Sequence, residues 1–243
     1  MRDAPTPQAP GPFGDGPVRV VHGTGISTPQ QDMDLATAAL AALGRPGAEA
    51  VLRVHRPRPT AAFSRLDSLK PGFAAAEDAA RAHGFAPVVR PGGGRLAAYH
   101  RDALVLDLVA PHLDARRQFR ERFGAVAESL VGGLRELGVD ARVGPVPDEY
   151  CPGEFSVNAG GATKLVGTAQ RLVRHGYLFS AVVVVADPDP LRAVLREAYA
   201  ALELTFDPAT VGAVADTVPD VTPDAVAAVL VPRLAGLVGP VGD

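Results

Sequence analysis

The chain has 243 residues, 24 Lys or Arg against 27 Asp or Glu, a net charge of −3, and 47% hydrophobic residues. The charge excludes a general nucleic-acid binder, which carries a basic excess, and the apolar share is enough to bury a sizeable core. No apolar run approaches the ~18 residues that span a bilayer, no secretory pattern opens the chain, and the one cysteine, Cys151, excludes an internal disulfide or a multi-cysteine zinc site. The reading is a cytoplasmic protein with no membrane and no nucleic-acid partner.

Residues 1–17 are rich in proline and glycine and read as a disordered tail, which leaves 18–243 as a single domain. Apolar residues recur at helical spacing from Asp32 to Leu43, and Gly44 with Pro46 ends that helix. Val51 to His55 reads as a strand closed by Arg56-Pro57-Arg58-Pro59. Phe73 to His83 is an alanine-rich helix ending at Gly84. Val88–Arg90, Leu96–Tyr99 and Ala103–Val109 are expected strands around the loop Pro91-Gly92-Gly93-Gly94. A long helix follows over 114–138, capped by Asp114, with Arg116, Arg117, Arg120, Arg122 and Arg135 on a solvated face. The loop Gly144 to Gly153 holds Cys151. Short strands at Phe155–Val157 and Lys164–Val166 flank a Gly160-Gly161 turn, a β-rich stretch runs from Tyr177 to Ala186, and helices close the chain at Leu191–Leu204 and Pro223–Leu237, the last kinked near Pro232. The alternation is too irregular for repeating βαβ units.

Three segments can carry chemistry. Consecutive glycines in Arg90-Pro91-Gly92-Gly93-Gly94-Arg95 let backbone amides face an anion while the arginines add charge; the same glycines also suit a plain hairpin. Cys151 lies among loop formers, where a nearby cation lowers a thiol pKa and makes a nucleophile, although a free cysteine is more commonly a small core residue. The third segment is Lys164-Leu165-Val166-Gly167-Thr168-Ala169-Gln170. Only Lys70 and Lys164 are lysines among the 24 basic residues. A lysine kept in so arginine-rich a chain marks a place for a compact, mobile ammonium. Lys70 precedes Pro71-Gly72 and reads as a turn, whereas Lys164 is placed to meet a carboxylate, a phosphate or an oxyanion. The six histidines show no metal-ligand spacing, and His100 alone is placed near a site.

In this order the segments resemble the lipoate-protein ligase family, which groups with biotin-protein ligases and octanoyltransferases. Asp34-Leu35-Ala36, Leu52-Arg53, Pro59-Thr60, Arg90 to Arg95, Tyr99-His100 and Lys164 to Gln170 carry the resemblance from about Asp32 to Leu237. It implies an α+β fold with a mixed, mostly antiparallel sheet flanked by helices, like the class II aminoacyl-tRNA synthetases and biotin ligases. It implies attachment of an octanoyl or lipoyl group to the lysine of a lipoyl domain, in a 2-oxoacid dehydrogenase or a glycine-cleavage carrier protein. Cys151 and Lys164 would be catalytic. Arg90, Gly92, Gly93, Gly94, Arg95, His100, Gly167, Thr168, Ala169 and Gln170 would bind substrate, with no metal ligand among them.

Two activities share that scaffold. A transferase takes the acyl group from acyl carrier protein, through a cysteine thioester in one branch, and requires no cofactor. A ligase activates the free acid with ATP and Mg2+. Cys151 lies 13 residues ahead of Lys164, comparable to the cysteine of that transferase branch, and Gly93-Gly94-Arg95 also looks more like it. With its end near residue 240, the chain is expected to lack the C-terminal domain many ligases carry. The expectation is therefore the transferase, with the ligase and a non-catalytic acyl-binding homologue as alternatives. Phe179-Ser180-Ala181 stands where family members often carry His-Gly, and Pro152-Gly153 departs from the transferase branch.

Overall fold

The computed structural model describes residues 11–14, 16–23 and 27–242. The large sheet forms from seven strands: β1 (Val18–His22), β2 (Ala50–His55), β6 (Ala103–Pro111), β7 (Ala141–Val143), β8 (Val157–Ala159), β9 (Thr163–Val173) and β10 (Gly176–Val184). Their order is β1-β2-β6-β10-β9-β8-β7, with only β1 and β2 parallel. A smaller sheet holds β3 (Thr60–Phe63), β4 (Ala86–Val89) and β5 (Ala97–Tyr99) in the order β4-β3-β5. The fold is α+β and mostly antiparallel, as expected, but its strands divide between two sheets.

The helices are α1 (Pro29–Ala42), α2 (Phe73–Ala82), α3 (Phe119–Glu136), α4 (Asp189–Ala201) and α5 (Pro223–Val238). Side chains alternate faces along a strand, and β6 shows what each face meets. Leu104, Leu106, Leu108 and Ala110 join the core formed with α3 and α5. On the other face Val105 packs with the small sheet and Met33 of α1, and Val109 packs with Ala36 and Leu40 of α1. Both faces are covered, which is why β6 reads as a continuous apolar run rather than an alternating one. Asp107 breaks that run on the α1 face. The helices α2 and α4 cover the small sheet from outside, burying Ala76, Ala80, Leu191 and Leu195.

Several expectations change. Asp114 does not cap the long helix: α3 begins after Gln118, which makes no side-chain cap bond, and Asp114 pairs with Arg117. Arg122 is not solvated but wholly buried, its guanidinium 4.0 Å from the Tyr177 ring and donating to Ala115 O and Pro12 O. Strand β9 runs on to Val173 rather than ending at Val166, β8 starts at Val157, and α5 passes through Pro232 as one helix. The strands β1, β3 and β7 have no counterpart in the sequence reading.

The expected disordered tail does not hold at residues 11–14. Phe13 is buried, Tyr177 Oη donates to its carbonyl, and His112 Nε2 lies 3.0 Å from Gly11 O. The expectation for residues 1–10 and 15 lies outside the described residues.

Candidate active site

A cleft of ≈ 260 Å³ opens between the large sheet and the small one, roofed by the glycine loop and bordered by α1 and the start of α3. Its volume lies near the ~300 Å³ lower bound of small-molecule pockets. Met33, Ala36, Phe119, Phe123, Leu178 and Val182 give it apolar walls, and Arg90, Cys151, Lys164, Asp107 and Ser180 supply polar groups.

Cys151 sits in a segment that the fold holds at several points. Its own φ is 43°, in the left-handed region that non-glycine residues seldom adopt. Its N–H donates to Tyr199 Oη at 2.7 Å, and that hydroxyl donates to Leu96 O at 2.9 Å, so α4 locks the cysteine to the end of the glycine loop. The sulfur then meets the Arg95 backbone N–H at 3.2 Å and Arg90 Nη2 at 3.5 Å. Arg90 Nη2 also donates to the carbonyls of Gly93 and Arg95, each at 2.7 Å, which curls the loop around the guanidinium. Gly94, with φ 96°, is required here, because a Cβ would come within 2.8 Å of both Arg90 Nη2 and Cys151 Sγ. Burial by itself pushes the Cys151 thiol up. The positive charges of Arg90 and Lys164, the Arg95 amide and the Arg90 hydrogen bond outweigh it, so the thiol ionises below the ordinary cysteine value.

Lys164 enters from β9 and is 1% exposed. Its Nζ donates to Glu149 Oε1 at 3.0 Å, Tyr150 O at 3.0 Å and Cys151 O at 2.8 Å, and lies 4.7 Å from the Tyr150 ring centre. All three ammonium protons hold the cysteine segment. Glu149, wholly buried, collects the rest: Oε1 accepts from Ser156 Oγ at 2.6 Å and Gly153 N at 3.1 Å, and Oε2 from Val146 N at 3.0 Å. A buried carboxylate with three hydrogen-bond donors and a paired ammonium is compensated. Glu149 was missed by sequence reasoning. Its only signal was an acid set between apolar Val146 and Tyr150 in a loop where an acid has no reason to be buried unless it organises backbone amides.

The remaining expected residues divide. Gly92, Gly93, Gly94, Gly167, Thr168, Ala169 and Gln170 line the cleft with Arg90, Cys151 and Lys164. The Gln170 amide is occupied, accepting from Arg122 Nε at 2.9 Å and donating to Phe119 O at 3.1 Å, so it ties β9 to the start of α3. Arg95 serves the site through its backbone, and its side chain turns to Asp67 Oδ1 at 3.5 Å. His100 lies outside the cleft. Its Nδ1 accepts from Asp102 N, its Nε2 faces Asp187 O at 2.8 Å, and the ring packs near Phe85. Among the described residues, His100, Asp102 and Asp187 form one three-residue grouping with metal-ligand spacing, but both ring nitrogens are already committed to backbone.

The geometry is thus a two-sheet α+β fold with a cleft, a glycine loop over a thiol and a buried lysine beside it. The chain belongs to the family of lipoyl protein ligase A/B catalytic domains, which it matches over residues 28–235. It is 31% identical over 137 residues to an octanoyl-[GcvH]:protein N-octanoyltransferase of an Exiguobacterium species, a match covering 56% of this chain and 47% of that one. The matched region thus spans about half the length of that relative. In fold it is similar to a lipoate-protein ligase A bound with ATP, with TM-score 0.68, 20% identity and coverage of 94% and 88% of the two chains. It is also similar to a bipartite lipoate protein ligase from Thermoplasma acidophilum, with TM-score 0.65, 23% identity and coverage of 92% and 83%. No helix among the described residues is long and apolar enough to cross a membrane.

Proposed function

We propose that this chain transfers an octanoyl or lipoyl group from acyl carrier protein to the lysine of a lipoyl domain through a thioester on Cys151. The observation that carries this reading is the Cys151 sulfur, held between the Arg95 amide and Arg90 and facing the cleft with a lowered pKa. The thiolate attacks the carbonyl carbon of the donor thioester. A C–S bond to Cys151 forms, the bond to the carrier sulfur breaks, and the carrier leaves as a thiolate that takes a proton from water. The lipoyl-domain amine then attacks the same carbon, the amide forms, Cys151 leaves as thiolate, and the amine's proton passes to solvent.

Each tetrahedral intermediate carries an oxyanion, which the N–H groups of the glycine loop and the Lys164 and Arg90 charges would stabilise. Preorganised donors of this kind are worth about 3 kcal/mol of barrier each. Lys164 acts in addition by keeping Cys151 in its left-handed conformation. The relative's name, with octanoyl-[GcvH] as donor and a protein nitrogen as acceptor, supports a protein amine as the group that receives the acyl chain.

Incubation with octanoyl-acyl carrier protein in the absence of ATP, followed by intact-mass measurement, tests the reading. It predicts one octanoyl adduct that hydroxylamine removes and that Cys151→Ser does not form as a thioester. No adduct, with octanoyl-adenylate appearing on addition of ATP, Mg2+ and octanoate, overturns the covalent transferase in favour of the ligase.

A further inference from the structure

The floor of the cleft is not uniformly apolar. Val105, Leu178 and Val182 supply hydrocarbon, but between them Asp107 of β6 and Ser180 of β10 stand directly opposite each other and both line the cavity. Ser180 gives its hydroxyl proton to Asp107 Oδ1 at 2.5 Å, so its oxygen has only lone pairs left to offer. Asp107 Oδ2 lies 4.0 Å from Arg53 Nη1 on the neighbouring strand. That arginine is already committed to Asp32, by a direct hydrogen bond, and stands 3.4 Å from His55 Nε2. His55 adds no charge near neutral pH. Burial lowers its pKa, as does Arg53, against the opposing pull of Asp107 and Asp32. Two buried carboxylates therefore share one guanidinium, and at Asp107 and Ser180 the cleft floor presents hydrogen-bond acceptors.

An unsubstituted octanoyl chain would lay methylenes on this carboxylate, removing its water and returning nothing, which is costly for a charged group. A chain with an O–H or N–H over the pair restores the lost bond.

We propose that the acyl group this site selects carries a hydrogen-bond donor, a hydroxyl or amine, along its chain, with Asp107 and Ser180 as the residues that recognise it. The inference rests on the acyl-transfer reading above and replaces its octanoyl or lipoyl group with an acyl chain that bears such a donor. Sites built to bond a substrate hydroxyl reject the analogue lacking it by as much as ~10⁴-fold, whereas apolar pockets reject an added hydroxyl by only about 10². A preference is therefore decided by which kind of floor the cleft has.

Calorimetric binding of octanoate and of each positional monohydroxyoctanoate to the purified protein tests this without carrier or transfer. At least one hydroxylated acid is expected to bind tenfold or more tighter than octanoate. Asp107→Val should reverse that order, and Ser180→Ala, which removes one acceptor but leaves Asp107, should lower the ratio less. If Asp107→Val does not fold, Asp107→Asn must still lower the ratio; an unchanged ratio overturns the inference. Octanoate binding as tightly as every hydroxylated acid overturns the inference alone. No binding by any acid overturns it together with the acyl reading, while a hydroxyl preference without a Cys151 adduct removes only the covalent mechanism.

Discussion

Cys151 and Lys164 are joined by one small network, and each tests a different part of it. Alkylation of a thiol follows its thiolate form, so the rate of Cys151 modification by iodoacetamide should rise with pH to a midpoint below the ordinary 9.0. Arg90→Met removes the largest of the groups that lower the thiol pKa and should move that midpoint upward; a midpoint that does not move would show that Arg90 does not set the thiolate. Glu149 answers for the lysine. Removing one partner of a buried pair leaves an uncompensated charge, at a cost of about 3–5 kcal/mol. Glu149→Ala should lose stability on that scale in urea denaturation, and Glu149→Gln, which keeps an acceptor for Ser156 and Gly153, should lose less. A neutral Glu149→Ala would mean that Lys164 finds other partners.

At the level of elements, the site depends on how closely the small sheet's covering helices approach each other. Gly72 precedes α2, and a Cβ there would lie 1.7 Å from the Ala201 carbonyl at the end of α4. Since α4 carries Tyr199, which fixes both Cys151 and Leu96, a displaced α4 reaches the thiol. Overpacking costs about 1–3 kcal/mol, which for a chain of this size is a fall in Tm of several degrees. Gly72→Ala is expected to show that fall in a thermal melt together with slower Cys151 acylation. Normal acylation in a destabilised variant would separate α4 from the site.

Legibility at this scale followed local chemistry. The helix α1 was readable because apolar residues recur at helical spacing from Asp32 to Leu43, although the capping box of Thr28 and Gln31 starts it earlier, at Pro29; the β8–β9 turn was readable from Gly160 and Gly161, both at positive φ. Strand β3 was not, because Thr60-Ala61-Ala62-Phe63 is short and alanine-rich and is extended only because β4 and β5 flank it.

Over the whole molecule, Arg122 links parts of the chain that are far apart in sequence. It reaches Pro12 O, Ala115 O and Gln170 Oε1 while lying over Tyr177, so one guanidinium connects the N-terminal segment, α3, β9 and β10. Phe13 seals the same region at 3% exposure. Burying a phenylalanine contributes about 1.5–3 kcal/mol, and a hydrogen bond from a charged group about 1.5–3 kcal/mol. Deletion of residues 1–13 should therefore cost roughly 3–5 kcal/mol in denaturant unfolding. An unchanged midpoint would show that these contacts contribute nothing net.

The sequence by itself determined the glycine loop, the cysteine segment, the lysine strand and the family they indicate, because each depends on residue types whose chemistry is local: glycine's backbone freedom, a thiol among loop formers, one ammonium in an arginine-rich chain. Only the tertiary structure decided what these groups touch. It directed Arg95 to serve the thiol through its backbone, turned His100 away from the cleft, and placed Arg122 in the core instead of in water. It also brought Glu149 to Lys164 and set Asp107 against Ser180 on the cleft floor. The reason is physical. A buried charge is tolerable only where partners from distant strands and loops converge on it, and that convergence is a property of strand order and register, which no single segment contains.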